Sequence, residues 1–140
     1  MKSHVLVWTV VAGLALASVA AQSPLAQTQP SPVQPAPVKR TIIGKADVPG
    51  ANYEVISAIV EIAPNFKAGR HFHPGMVHGQ VLEGEFWLAV DGEAEKTVKA
   101  GETLALADRA VHNEGAGASG TKLVAVYVVE KGQALVQPVK

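Results

Sequence analysis

From residue 40 onward, hydrophobic and polar positions alternate. Glu54, Ile56, Ala58, Val60 and Ile62 share one parity, opposite Val55, Ser57, Ile59 and Glu61. A period of two is the mark of a strand, whose successive side chains point to opposite faces. Phe86, Leu88 and Val90 alternate in the same way with Glu85, Trp87 and Ala89. Asp91-Gly92 then signals a hairpin, with residues 94–98 as the return strand. Residues 103–106 and 123–129 read as further strands. The last is apolar on both faces, Val124, Val126 and Val128 opposite Leu123, Ala125 and Tyr127. Such a strand is expected at the centre of a sheet or against another subunit. Gly50, Pro64, Gly69, Pro74-Gly75, Gly84, Gly101 and the stretch from Gly115 to Gly120 read as turns. Short strands spaced roughly 8–12 residues apart, with no helical period among them, predict an all-β sandwich or small barrel.

The pattern differs before residue 40. A short basic start (Met1 to His4) is followed by a run from Val5 to Ala17 that is apolar except for Thr9 and Gly13, then by small residues at Ser18 to Ala21. This is the pattern of a secretory signal peptide over residues 1–21, cut after Ala20 or Ala21; the alternative is an uncleaved anchor. Residues 22–39 carry Pro24, Pro30, Pro32, Pro35 and Pro37 among small and polar residues. They read as a disordered tether. The expected organisation is thus a signal peptide, a linker and one domain over residues 40–140. The expected location is the periplasm or the medium, with no stable membrane association after cleavage.

Composition narrows the chemistry. There is no cysteine, so a metal would be held by nitrogen and oxygen, and zinc-finger or iron–sulfur architectures are excluded. Twelve Lys and Arg balance twelve Asp and Glu, which offers nothing to nucleic acid or anionic lipid. Phosphate-loop, nucleophile-elbow and zinc-protease helix motifs are absent.

The candidate chemistry lies in His71-Phe72-His73. Two histidines one residue apart on a strand share a face, about 7 Å apart along the backbone, and can converge on one ion. His112 could supply a third nitrogen. Neutral imidazole suits Zn, Cu, Fe and Ni.

These residues resemble the cupin family. That family's first motif runs through His-x-His, three or four residues, Glu, six residues and Gly; here His71 and His73 open it and Gly84 closes it. In the second motif Gly101 and His112 fall at the family's spacing, while Ala107, Arg109 and Ala116 replace the usual Pro, Gly and Asn. The resemblance spans roughly residues 42–135. It implies a double-stranded β-helix (jelly-roll) barrel, a homodimer, and one divalent transition metal (Fe(II), Mn, Ni, Cu or Zn) on His71, His73 and His112. Val77 stands where the family has its carboxylate ligand, so the fourth position is open. Glu114 is two residues beyond His112 and can share its face, as the corresponding carboxylate does in pirin-like cupins. His78 and Gln80 could reach the site only if the strand register slipped by one. Water is the remaining choice. Glu83 and Glu85 are expected in solvent, Arg70 is expected to point away from the metal, and at most one of Phe86 and Trp87 can line the pocket.

Similarity to three-histidine thiol and diketone dioxygenases implies a metal-dependent oxidoreductase acting on a small chelating molecule. With Zn or Mn the same centre would act as a Lewis acid. A non-catalytic small-ligand binder and a metal-stabilised module are the alternatives, since a fold alone does not determine function. The sequence assigns no catalytic residue and no organic cofactor.

Overall fold

The computed structural model describes residues 36–139. The expected signal peptide and residues 22–35 of the expected tether lie outside the described residues. The described chain is all β, with eight strands in one curled, jelly-roll sheet.

Two long strands organise it. β4 (Gly75–Val90) and β7 (His112–Glu130) pair antiparallel from Gly75 against Val129 to Val90 against His112, with irregularities near Glu83 and Gly84. Each long strand takes different neighbours along its two halves. The second half of β7 pairs with β2 (Tyr53–Ile62), which carries β1 (Val38–Asp47) on its other edge. The first half of β4 pairs with β6 (Thr103–Leu106), and its second half with β5 (Lys96–Lys99). The short strand β3 (His71–Phe72) bridges the start of β7 and β8 (Gln137–Pro138). Because His71 opposes His112 while Gly75, four residues later, opposes Val129, the two ends of β7 lie close together and the sheet curls upon itself.

Alternation delivers the core. Ala58, Val60 and Ile62 of β2, Phe86 and Leu88 of β4, and Leu123, Ala125, Tyr127 and Val129 of β7 are all buried inside the curl. Burial of a side chain such as Phe86 or Leu88 contributes about 1.5–3 kcal/mol. β7 is central, hydrogen-bonded to both β2 and β4, while the outward face with Val124, Val126 and Val128 is half-buried.

The glycines expected as turns at Gly84 and within residues 115–120 instead lie inside strands. Gly84 takes a positive φ of 76° beside the irregularity in β4, where it bends the strand without ending it. A Cβ there would strike the carbonyl of Gly120 on the facing strand. Gly115 is needed for space: a Cβ would collide with the Phe66 carbonyl and the Trp87 indole. The hairpin at Asp91-Gly92 forms, but its return strand begins at Lys96 rather than 94. The turn that follows Val90 is closed by the Glu93 N–H donating to the Val90 carbonyl, and β5 pairs with β4 from Leu88 backwards.

Candidate metal centre

β-Pairing sets His71 directly against His112, and a strand pair of this kind brings Cβ atoms within about 5.5 Å. His73 follows two residues later on the same parity. The rings cluster tightly: centroids are 4.3 Å apart for His71 and His112, and 5.2 Å for each of them to His73. One nitrogen from each lies within 4.8 Å of the others, and all three side chains are buried.

Backbone carbonyls orient the rings. Nδ1 of His71 lies 2.8 Å from the Gly69 carbonyl, Nδ1 of His73 2.6 Å from that of Leu135, and Nδ1 of His112 2.8 Å from that of Ala110. A carbonyl can only accept, so in each case Nδ1–H donates. Each neutral ring therefore carries its lone pair on Nε2, the tautomer a metal requires. The Nε2 atoms of His71 and His112 are buried without a hydrogen-bond partner. Three lone pairs converging in a buried space, two of them orphaned, fit a metal ion better than a packed apolar core.

Glu114 completes the cluster. It follows His112 by two residues, so alternation turns it to the same side. It is buried, with carboxylate oxygens 3.8 Å from Nε2 of His71 and 3.6 Å from Nε2 of His112. Burial opposes its ionisation, but the surrounding imidazoles outweigh this and hold it below the ordinary carboxylate value. Burial likewise works against a charge on His112, and there the Glu114 carboxylate and the Ala110 carbonyl reverse the balance, raising its pKa. His71 and His73 go the other way. Desolvation lowers both, His73 to about 4, leaving them neutral at pH 7. Three imidazoles, whose Nε2 atoms are free once His112 gives up its proton, beside an anionic carboxylate make an N3O donor set suited to a divalent transition ion.

The other candidate ligands lie elsewhere. His78 and Gln80 are exposed on the outward parity of β4, so the register slip that would have turned them inward does not occur. Val77 does face inward and lines a small cavity with His73, Glu114 and Tyr127. Position 77 is thus in place for a ligand but carries an apolar side chain, and Glu114 approaches the same cavity from β7. Glu83 and Glu85 are exposed, and Arg70 turns outward to pair with Asp91. Phe86 lines the cavity while Trp87 faces the other way, under Lys67.

Two residues near the centre are not singled out by the sequence. Tyr127, expected only as part of a strand, packs edge-on against His73 at 5.2 Å. Arg40, expected at the domain boundary, lies on β1 opposite Val60, which lines the small cavity with His73 and Tyr127. The available signal was a lone arginine between Val38 and Ile42, residues of the same parity.

The cupin domain family model matches residues 58–130. The chain belongs to the cupin family. A search of curated proteins finds no match. Solved structures of the same fold include a cupin superfamily protein from Desulfitobacterium hafniense, 16% identical over 76% of this chain and 95% of that one, with a TM-score of 0.57. The DMSP lyase DddQ of Ruegeria pomeroyi is 14% identical over 57% of this chain, with a TM-score of 0.54, and the match spans only 41% of the lyase. Oxalate oxidase is 22% identical over 61% of this chain and 46% of that one, with a TM-score of 0.51. At these identities the likeness establishes the cupin fold, and the named activities remain those of the other proteins.

Proposed function

We propose that this cupin holds one divalent transition metal on His71, His73, His112 and Glu114 and transforms a small molecule there as a dioxygenase-like oxidoreductase. The observation that carries this reading is the common orientation of the three imidazoles, with every Nδ1 against a backbone carbonyl and two Nε2 atoms buried and unpartnered. A bound ion would supply Lewis acidity and, if iron, one-electron chemistry with oxygen. The protein's part is to keep His71 and His73 neutral, to aim all three imidazoles, to add one negative charge through Glu114, and to exclude bulk water with Val77, Phe86 and Leu106.

Metal analysis of the purified protein tests the reading, with oxygen uptake measured on chelating small molecules. About one equivalent of metal is expected in the wild type, little in His71→Ala, and a binding constant at least tenfold weaker in Glu114→Gln. Adding Val77→Glu to Glu114→Gln should restore part of that loss, because both positions border one cavity. Full occupancy in a His71→Ala/His73→Ala double variant would sink the assignment.

The proposal includes export to the periplasm or the medium, supported by the pattern of residues 1–21, and a homodimer, supported by the outward side chains of Val124, Val126 and Val128 and by exposed Met76 and Ile43. Intact mass and light scattering of the exported protein check both: an uncleaved chain or a monomer would refute the corresponding part.

A structural metal is the second reading. It is favoured by the complete burial of His112 and by an adjoining cavity of only about 10 Å³, room for about one water. A large fall in melting temperature on chelation, with no turnover of any chelating substrate, would select it.

A further inference from the structure

The three-histidine cluster is closed off. His71, His73 and His112 are buried, and the cavity beside them measures about 10 Å³, room for about one water. Anything that enters must displace a wall, and the walls are not held equally. β7 is hydrogen-bonded to β2 on one side and to β4 on the other. The chain leading into β3 is tied to β7: the Asn65 N–H donates to the Gly117 carbonyl, the Ala116 N–H to that of Phe66, and the Ala68 N–H to that of Glu114. The C-terminal segment is held more lightly. β8 has two residues, lies at the end of the strand order and pairs with β3, Phe72 against Gln137 and His71 against Pro138. Pro138 has no N–H to give to that ladder. Beyond it, the Val139 N–H donates to the Arg70 carbonyl. Between β7 and β8 the chain forms no strand, and it leaves β7 through Gly132, at a φ of 75° that glycine adopts without strain.

This lightly held segment nevertheless reaches the centre. The Leu135 carbonyl accepts the Nδ1–H of His73 at 2.6 Å, and the Leu135 side chain packs against the core. The outer neighbour of a metal ligand fixes its ring orientation, so one of the three imidazoles is aimed by the least anchored wall. Elements that open for ligands are drawn from the weakly held parts of a fold. We propose that residues 132–138 are a strap that swings away from β3 about Gly132 to admit metal and small molecules to the three-histidine centre. Opening withdraws the Leu135 carbonyl from His73, so it loosens the centre as well as uncovering it. This rests on the metal-centre reading for what enters, though not for the movement itself.

The chain has no cysteine, so the strap can be locked cleanly. Phe72 and Gln137 are cross-strand partners, within disulfide reach at a Cα separation of about 4.5–5.5 Å. The test compares Phe72→Cys/Gln137→Cys, oxidised and reduced, with the wild type and Leu135→Ala. Two rates are read: carbethoxylation of His73 in metal-free protein, located by peptide mass, and release of zinc from loaded protein into excess chelator. Exposed His78 is the internal reference. The disulfide should slow both rates at least tenfold, and reductant should restore them, with His78 unchanged. Leu135→Ala, which loosens the strap but keeps the carbonyl, should speed both severalfold. Equal rates in oxidised and reduced protein, by either readout, overturn the proposal. If the disulfide does not form, Leu135→Ala decides, and wild-type rates there overturn it. Failure of every protein to load zinc, with His73 still protected by the disulfide, would remove the metal reading and leave the strap standing.

Discussion

The two halves of β7 use the same backbone pattern for opposite ends. In the first half the inward positions are His112, Glu114 and Ala116; in the second they are Thr121, Leu123, Ala125, Tyr127 and Val129. Both halves are buried on that side and both pair with β4. What differs is chemistry. Apolar groups in the second half gain free energy by leaving water, whereas polar groups in the first lose it unless they find partners. The second half should therefore hold the fold and the first half should depend on what it binds.

Truncating the core half gives the largest effect. Leu123→Ala removes a buried side chain set between its cross-strand partners Val60 and Val81 and should cost about 2–5 kcal/mol, read from urea unfolding. Metal stoichiometry should be unchanged in the folded variant. Loss of metal together with stability would show that the two halves are one cooperative unit, and the division would fail.

Acidification should strike the other half. In metal-free protein, His73 has a folded pKa of about 4 against an ordinary 6.5. Between these values the unfolded chain binds more protons than the native one, so stability falls as pH drops through that window and is fully present above it. The shift corresponds to a loss on the order of 3 kcal/mol. His71 acts in the same direction. His112 acts in the opposite sense, since its raised pKa gives stability below 6.5 that fades as pH rises past the folded value. Glu114, held low, contributes above 4.5 and loses this as pH falls. A urea midpoint that climbs from pH 4 to 6.5 and then levels is expected. A flat profile over that range would mean that the histidines are not desolvated.

What the sequence made legible follows the same division. Strand parity, the core of β2 and β4, and the convergence of His71, His73 and His112 could be read because each rests on a local period of two or on motif spacing. Two things could not. Gly115 to Gly120 looks like a loop because small residues usually mark turns, whereas here Gly115 makes room for Trp87 from another strand. Parity with His112 makes Glu114 a candidate for the fourth position, but the loop-like stretch that follows leaves it one choice among His78, Gln80 and water. Arg40 is not legible for a related reason: its strand partner Val60 is 20 residues away and nothing local announces the pairing.

The smallest effect tests the tie between the two ends of β7. Arg109, which precedes β7 and stands where cupins usually have glycine, takes a left-handed φ of 56°. A side chain in that conformation costs about 1 kcal/mol relative to glycine. Its guanidinium offsets part of this through an ion pair with Glu130 at 2.6 Å and by lying 5.7 Å from the Phe72 ring centroid. An exposed pair contributes about 0–1 kcal/mol, and a cation over a ring about 0.5–1 kcal/mol at such a site. Arg109→Gly should therefore change stability by no more than about 1 kcal/mol in either direction, and its unfolding should respond less to added salt than that of the wild type. A loss well beyond that, comparable with Leu123→Ala, would mean that Arg109 and Glu130 clamp the start of β7 to its end, so that core and site could no longer be treated as separable.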